Sequence, residues 1–435
     1  MIRLALATLG CKVNQYESAG ISQILEDNGF ISVPFNKTAD VYIINTCTVT
    51  RGADHQSRQL IGRAVRNNPV APILVTGCYA QSLPNEIASI PGVAFVVGNH
   101  DKVNILPLVR EMVKGGKKII VSDISKIKEF LTPAVRSFPG RTRAFLKIQD
   151  GCNAFCSYCI VPYARGRSRS LPEREVLERA TTLGNSGYQE VVLTGIHLGA
   201  YGRDLHPAKE LLSVLRRVEE KKPISRLRLS SLEPREITKD MLSFMGDSKV
   251  LCHHLHIPLQ SGDDGILKLM GRDYDQFFFK NLIYGILACL PDAAIGIDVM
   301  TGFPGEGEKE FATTRSLIEE LPITYLHVFP YSPRPGTKAS LLPHQVNDIE
   351  KKKRTQILRL LGREKRNVFA RKFLGKELII LLEGKRDRET GWMMGFSDNY
   401  IPILVREENS CYTNHLLRVI PDSVQDGKLV GRIIR

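Results

Sequence analysis

The run Cys152-Asn153-Ala154-Phe155-Cys156-Ser157-Tyr158-Cys159 constrains this chain more than any other stretch. Its thiols are spaced C-x3-C-x2-C directly after an apolar run, Ala144 to Ile148, that reads as a buried strand. Thiolates at this spacing can wrap three corners of a cubane cluster, since iron–sulfur clusters take cysteine thiolates as ligands. The fourth iron would lack a protein ligand and could bind a small molecule. A structural zinc site is the competing reading. Such sites close with four ligands, usually in two separated pairs, and no fourth Cys or His lies near in sequence.

With 435 residues the chain has room for two or three domains. No apolar run approaches the roughly 18 residues of a membrane-spanning helix, so no membrane association is expected. Leu4 to Ala7, with only Arg3 ahead of it, is too short for an export signal and reads as a first strand. The expected compartment is therefore the cytoplasm. There a reducing environment disfavours disulfides, and the nine cysteines point to metal or redox chemistry. Cys252, Cys289 and Cys411 stand alone in apolar or mixed surroundings and are expected to be packing residues. The formal charge of +14 favours a polyanionic partner, of which nucleic acid is the commonest. Much of the surplus lies between Glu350 and Glu377, with eleven Lys/Arg against three Glu.

Hydrophobic patterning divides the chain into an N-terminal domain (1–115), a central barrel (138–370) and a C-terminal domain (371–435). In the first, apolar runs at Leu4–Leu9, Val41–Asn45, Ile73–Thr76 and Val93–Val97 alternate with helical patterns, which argues for a parallel sheet covered by helices. Functional groups gather at the carboxyl ends of such strands, and Cys11, Cys47 and Cys78 fall just after three of them. From Ala144 to Phe329 six strand–helix units suggest a closed or partly closed α/β barrel with its site at the carboxyl-terminal mouth. Residues 344 to about 373 read as one long basic helix. Beyond it, short strands with turn signals suit a small all-β barrel.

The cysteine loop, with Tyr158 before its last cysteine, on the first loop of a six-strand α/β barrel, resembles the radical S-adenosylmethionine superfamily. Gly10-Cys11-Lys12-Val13-Asn14-Gln15-Tyr16-Glu17, Asn45-Thr46-Cys47-Thr48-Val49 and Thr76-Gly77-Cys78-Tyr79-Ala80-Gln81 resemble three motifs of its methylthiotransferase family. Leu193-Thr194-Gly195-Ile196-His197-Leu198-Gly199 and Ser230-Ser231-Leu232-Glu233-Pro234 are most similar to the branch acting on threonylcarbamoyladenosine in tRNA. Branches acting on isopentenyladenosine, or on an aspartate of a ribosomal protein, are the alternatives. A non-catalytic RNA-binding iron–sulfur protein is a rival of another class.

The resemblance covers essentially the whole chain. It implies an α/β protein with a flavodoxin-like N-terminal sheet, a partial (β/α)6 barrel and a C-terminal TRAM-like barrel that binds RNA. It implies two [4Fe-4S] clusters, one held by Cys152, Cys156 and Cys159 at the catalytic centre and an auxiliary one on Cys11, Cys47 and Cys78. S-adenosylmethionine would bind the open iron of the first, with Tyr158, Gly195, Ser231, Glu233, Gln260 and Asp298 as candidate contacts. Arg165, Arg167 and Arg169 follow the loop closely enough to meet the cofactor carboxylate, RNA or water. In the family mechanism a methyl group from one S-adenosylmethionine reaches sulfur at the auxiliary cluster. A radical from a second then abstracts hydrogen from C2 of the modified adenine. Expected partners are the tRNA anticodon stem-loop, gripped in part by Lys351, Lys352, Lys353 and Arg354, and a reducing electron-donor protein, with the enzyme a monomer.

Overall fold

A computed structural model describes residues 1–406 and 412–434. The N-terminal sheet comprises β1 (Ile2–Thr8), β2 (Phe30–Val33), β3 (Val41–Thr46), β4 (Ile73–Gly77), β5 (Val93–Val97) and β6 (Lys118–Ile120), in the parallel order β2-β1-β3-β4-β5-β6. This is flavodoxin-like winding, which reverses direction at β1/β3 and opens a crevice at the carboxyl ends of those strands. Strands β3 and β4 are buried throughout, as expected of runs covered by helices on both faces. The apolar pattern missed β2, whose central Ile31 and Ser32 are exposed at the sheet edge.

Residues 143–330 supply the barrel strands. They are six, β7 (Arg143–Lys147), β10 (Glu190–Thr194), β11 (Arg226–Leu229), β12 (His254–Gln260), β13 (Ala294–Thr301) and β14 (Tyr325–Pro330), with a separate two-residue pair β8 (Gln149–Asp150) and β9 (Arg169–Ser170) after the first. The ladders run β11-β10-β7 and β12-β13-β14. Backbone bonds such as Leu232 N to His256 O, 3.0 Å, join the two into one arc. Residues alternate along each strand. Outward-facing Leu146, Leu193, Leu227, Leu255 and Ile297 are buried in one apolar core with the helices. The inward set is largely polar: Arg143, Thr194, Arg228, His254, His256, Asp298 and His327 line one cavity.

The helix Asp348–Arg371 is capped by Asn347, whose side chain accepts from Glu350 N at 2.9 Å, and leads into the C-terminal domain. There β15 (Leu378–Arg386), β16 (Met393–Ser397), β17 (Pro402–Val405), β18 (Leu416–Gln425) and β19 (Lys428–Ile433) close into a barrel. It is fixed to the central arc by buried arginines. Arg226 donates to Ile379 O and Arg228 to Asp398 O, both at 2.7 Å.

Two sequence expectations need correction. Cys289 ends the helix Gln276–Cys289 on an exposed face, so it is not a packing residue; Cys252 is buried, and Cys411 lies outside the described residues. Lys351 and Arg354 do not belong to a free basic surface. Arg354 is buried against Glu306 at 2.9 Å, and Lys351 is buried beside Asp348 with its ammonium over the Tyr331 ring. Only Lys352 and Lys353 of that run are exposed. Among the described residues no helix is long and apolar enough to cross a membrane.

Candidate active site

Cys11 follows β1, Cys47 follows β3 and Cys78 follows β4, so the crevice at the β1/β3 reversal gathers all three on one cavity wall. Gly10 lets two of them approach. At φ +93° it occupies the left-handed region, and a Cβ there would lie 2.8 Å from Cys47 Cβ. Burial pushes the Cys47 thiol up to about 12, and the neighbouring Cys78 and Cys11 push the same way. Three thiols gathered on one wall could serve as donors to a cationic metal centre, which deprotonates its ligands.

The surroundings fit such a centre. Arg165 is fully buried and donates from Nε to Cys78 Sγ at 3.3 Å. Its Nη1 meets Glu17 Oε1 at 2.6 Å, and its Nη2 meets Asn14. Lys102 and Lys147 also bind Glu17, and Lys147 and Arg169 reach Asp150 at 2.7 and 3.7 Å. Four cations thus face two carboxylates in this buried group. The surplus positive charge suits thiolates bound to a cluster.

The second triad lies on the loop after β8. Gly151, at φ +75°, turns the chain into it, and a Cβ there would lie 2.0 Å from Arg167 O. Burial raises the Cys159 thiol to about 12, with Cys156 and Cys152 adding to the effect. Cys152 Sγ lies 3.4 Å from His197 Nδ1, and His197 Nε2 lies 2.9 Å from Glu236 Oε1. Burial opposes a charge on His197, but its bonds to Cys152 and Glu236 prevail and hold its pKa at about 10. Arg272 donates to Cys156 Sγ at 3.4 Å while paired with Glu233. Tyr158 packs edge-on against Phe303, with ring centroids 6.5 Å apart.

One cavity of about 1350 Å³ runs from Cys11, Cys47 and Cys78, along the inner wall of the arc, to Glu383, Lys385 and Asn414 of the C-terminal domain. Of the candidate cofactor contacts, Gly195, Ser231 and Asp298 line it. Gly195 rests on Gln149, whose Oε1 also accepts from His197 N at 2.8 Å, so the Cys152 partner lies directly behind this wall. Asp298 is held by His256 at 2.8 Å and His327 at 3.4 Å. Burial resists its ionisation, but those two imidazoles keep its carboxyl well below the usual range. Glu233 is committed to Arg272. Gln260 sits at a bulge with φ +66° and is absent from the cavity wall.

Arg165 and Arg169 are buried away from water and brace the N-terminal triad, Arg165 from the cavity wall itself, whereas Arg167 is exposed over the Phe155 ring. Sequence reading missed Glu17, Lys102, Glu236 and Arg272, since their roles arise from contacts distant in sequence. His197 was within reach, lying two residues past Gly195 in the stretch Leu193–Gly199. The alternation Arg226-Leu227-Arg228-Leu229 likewise signals a strand with one polar face.

Comparison with known proteins bears on this arrangement. Residues 3–98 match the uncharacterized protein family UPF0004, and residues 146–318 match the radical SAM superfamily. The chain is 42% identical to the threonylcarbamoyladenosine tRNA methylthiotransferase MtaB of Bacillus subtilis, over 93% of its own length and 91% of that protein's. Identity to the Aquifex aeolicus protein of the same name is 39%, over 96% of this chain and all of the other. A tRNA-2-methylthio-N(6)-dimethylallyladenosine synthase of Syntrophus aciditrophicus is 32% identical over 87% of this chain and 83% of its own. Among solved structures the fold is similar to the radical S-adenosylmethionine methyltransferase TsrM of Kitasatospora setae. The TM-score is 0.59 at 15% identity, over 78% of this chain and 74% of that one, a likeness of fold alone.

Proposed function

The chain belongs to the methylthiotransferase family of radical S-adenosylmethionine enzymes, and we propose that it adds a methylthio group at C2 of N6-threonylcarbamoyladenosine in tRNA. The supporting observation is the shared cavity. It begins at the Cys11–Cys47–Cys78 wall and passes Gly195 and Ser231, behind which the Cys152 loop lies. Its volume exceeds the 300–1,000 Å³ usual for a single small ligand, so cofactor and substrate base have room to meet inside it.

Cys152, Cys156 and Cys159 would hold one [4Fe-4S] cluster, and Cys11, Cys47 and Cys78 the second. S-adenosylmethionine bound at the first supplies a methyl group and, on reduction, a 5′-deoxyadenosyl radical. The chain's own residues position and shield. His197 and Arg272 orient the loop thiols through Cys152 and Cys156. Arg165 fixes Cys78 and ties the barrel to the N-terminal sheet. The apolar outer faces of the six barrel strands seal the arc against water. A base reaches such an interior only when splayed out of its loop, as RNA-modifying proteins require.

The RNA grip that this reading needs is met by one face of the helix Asp348–Arg371. Lys352, Arg359 and Arg363 are exposed along a shared groove at helical spacing. The remaining parts of the reading are a monomer, an external reducing protein as electron source and a cytoplasmic location. The test is reconstituted protein given S-adenosylmethionine, dithionite and synthetic anticodon stem-loops. Methylthio product from the threonylcarbamoyl RNA, and little from the isopentenyl RNA, is expected. Product from the isopentenyl RNA alone, or from neither, would overturn the reading.

A further inference from the structure

The threonylcarbamoyl group differs from an isopentenyl group in chemistry as well as size. Threonine joined through its amine keeps a free α-carboxylate, so a site for this nucleoside must take an anion into the cavity. The cavity's cations are mostly committed. Arg143 binds Glu383 at 2.7 Å, Arg228 binds Glu190 at 2.7 Å, and Arg165 binds Glu17. Arg141 lies over the Phe145 ring. The carboxylate of Asp298 is equally committed, because His256 and His327 hold it.

Lys12 and Lys385 are the lining cations left without such a commitment among the described residues, and of the two only Lys12 stands beside the N-terminal triad. Among the described residues its ammonium has no hydrogen-bond or ion-pair partner, although it lines the cavity immediately after Cys11. Its position is also unfavourable for a cation. It is the first residue of the helix Lys12–Glu26, where the helix dipole opposes positive charge, and no acidic residue occupies that first turn. A cation at a helix start with no acidic residue in its own turn breaks a local rule, and such breaks are expected at functional positions. An anion placed here would satisfy both the ammonium and the helix end.

Resting on the functional reading above, we propose that Lys12 binds the carboxylate of the threonylcarbamoyl group and so selects this nucleoside. The placement agrees with the chemistry. In adenine, C2 and the carbon bearing N6 both flank N1, so a carboxylate anchored beside Cys11 by the N6 substituent turns the C2 edge toward the N-terminal triad. Lys12 is thereby a specificity residue, with no role in the chemical step.

The experiment measures binding, which needs no turnover. Affinities of the anticodon stem-loop bearing the free threonylcarbamoyl acid, and of the same RNA as its methyl ester, are compared for the wild-type protein, Lys12→Gln and Lys12→Arg. The ratio of the two affinities cancels any general loss of RNA binding or partial damage to the fold. A charge-assisted contact of this kind predicts a wild-type preference for the acid of about 10- to 100-fold. Lys12→Gln brings the ratio near one, and Lys12→Arg keeps most of it. A ratio unchanged in Lys12→Gln, as expected if Lys12 met an RNA phosphate instead, overturns the assignment, as does a wild-type ratio of one. Methylthio product formation by the wild-type protein from the acid RNA is scored in parallel. Its absence overturns the functional reading itself, whereas product formation together with a failed ratio overturns only the role of Lys12.

Discussion

Arg165, carried on the segment that follows the C-x3-C-x2-C loop, donates from Nε to Cys78 of the N-terminal sheet at 3.3 Å. The segment that carries the second triad is therefore tied to Cys78 by one fully buried guanidinium, which also binds Glu17 and Asp150. Removing one partner of a buried ionic group leaves uncompensated charge and costs about 3–5 kcal/mol. Arg165→Met, similar in length but uncharged, is expected to lower stability by that amount and to reduce iron retained at the N-terminal triad. Denaturant unfolding and iron analysis of anaerobically purified protein check both effects.

The triads divide the labour, and their variants should separate. Replacing Cys152, Cys156 or Cys159 by Ala is expected to abolish reductive cleavage of S-adenosylmethionine, because an incomplete ligand set does not hold the cluster. Replacing Cys11, Cys47 and Cys78 together should leave that cleavage intact while eliminating methylthio product. Quantifying 5′-deoxyadenosine and modified nucleoside in the same reaction distinguishes the two outcomes.

Glu17 provides a pH signature. Burial raises its pKa, but Arg165, Lys102 and Lys147 outweigh burial and hold the carboxyl well below its usual value. With the folded pKa below the unfolded one, about 4.3, the stabilisation is complete above that pH and is lost as pH falls toward the folded value. Glu17→Gln should therefore be less stable than wild type by a constant margin from pH 8 to 5. Below the unfolded pKa that margin should shrink by about 1.4 kcal/mol per pH unit. Thermal unfolding of both proteins across pH tests this, and a margin unchanged down to pH 3 contradicts it.

The basic helix makes a prediction that differs from its sequence reading. Changing exposed Lys352, Arg359 and Arg363 to Gln should weaken cognate and non-cognate tRNA alike, since phosphate groups position RNA on a protein without revealing its sequence. The salt slope of log affinity should flatten by about 0.7–0.9 for each phosphate no longer neutralised. Arg354→Gln should instead destabilise the fold, because it deprives buried Glu306 of its partner. A salt series of tRNA affinities, with unfolding curves for each variant, separates the two groups of residues.

Strands and helices were legible in the chain because each depends on local apolar periodicity, and all six barrel strands form where the apolar runs lie. The cysteines were legible because their spacing, and their place after strands, carry the chemistry. The braces were not. Arg165 and Glu17 stand 148 positions apart, and Arg354 meets Glu306 from 48 positions away. Nothing local distinguishes Arg354 from exposed Lys353 beside it; only the packing of the helix decides which cation faces Glu306. The edge strand β2 was missed for a related reason, because half-exposed edges lack the apolar density that marks β3 and β4.

The most direct test of the central claim is mass spectrometry of tRNA nucleosides from cells with and without the gene. Loss of 2-methylthio-N6-threonylcarbamoyladenosine, with accumulation of its unthiolated precursor, is the predicted result. An unchanged level of that nucleoside, or loss of the isopentenyl counterpart in its place, would contradict the account.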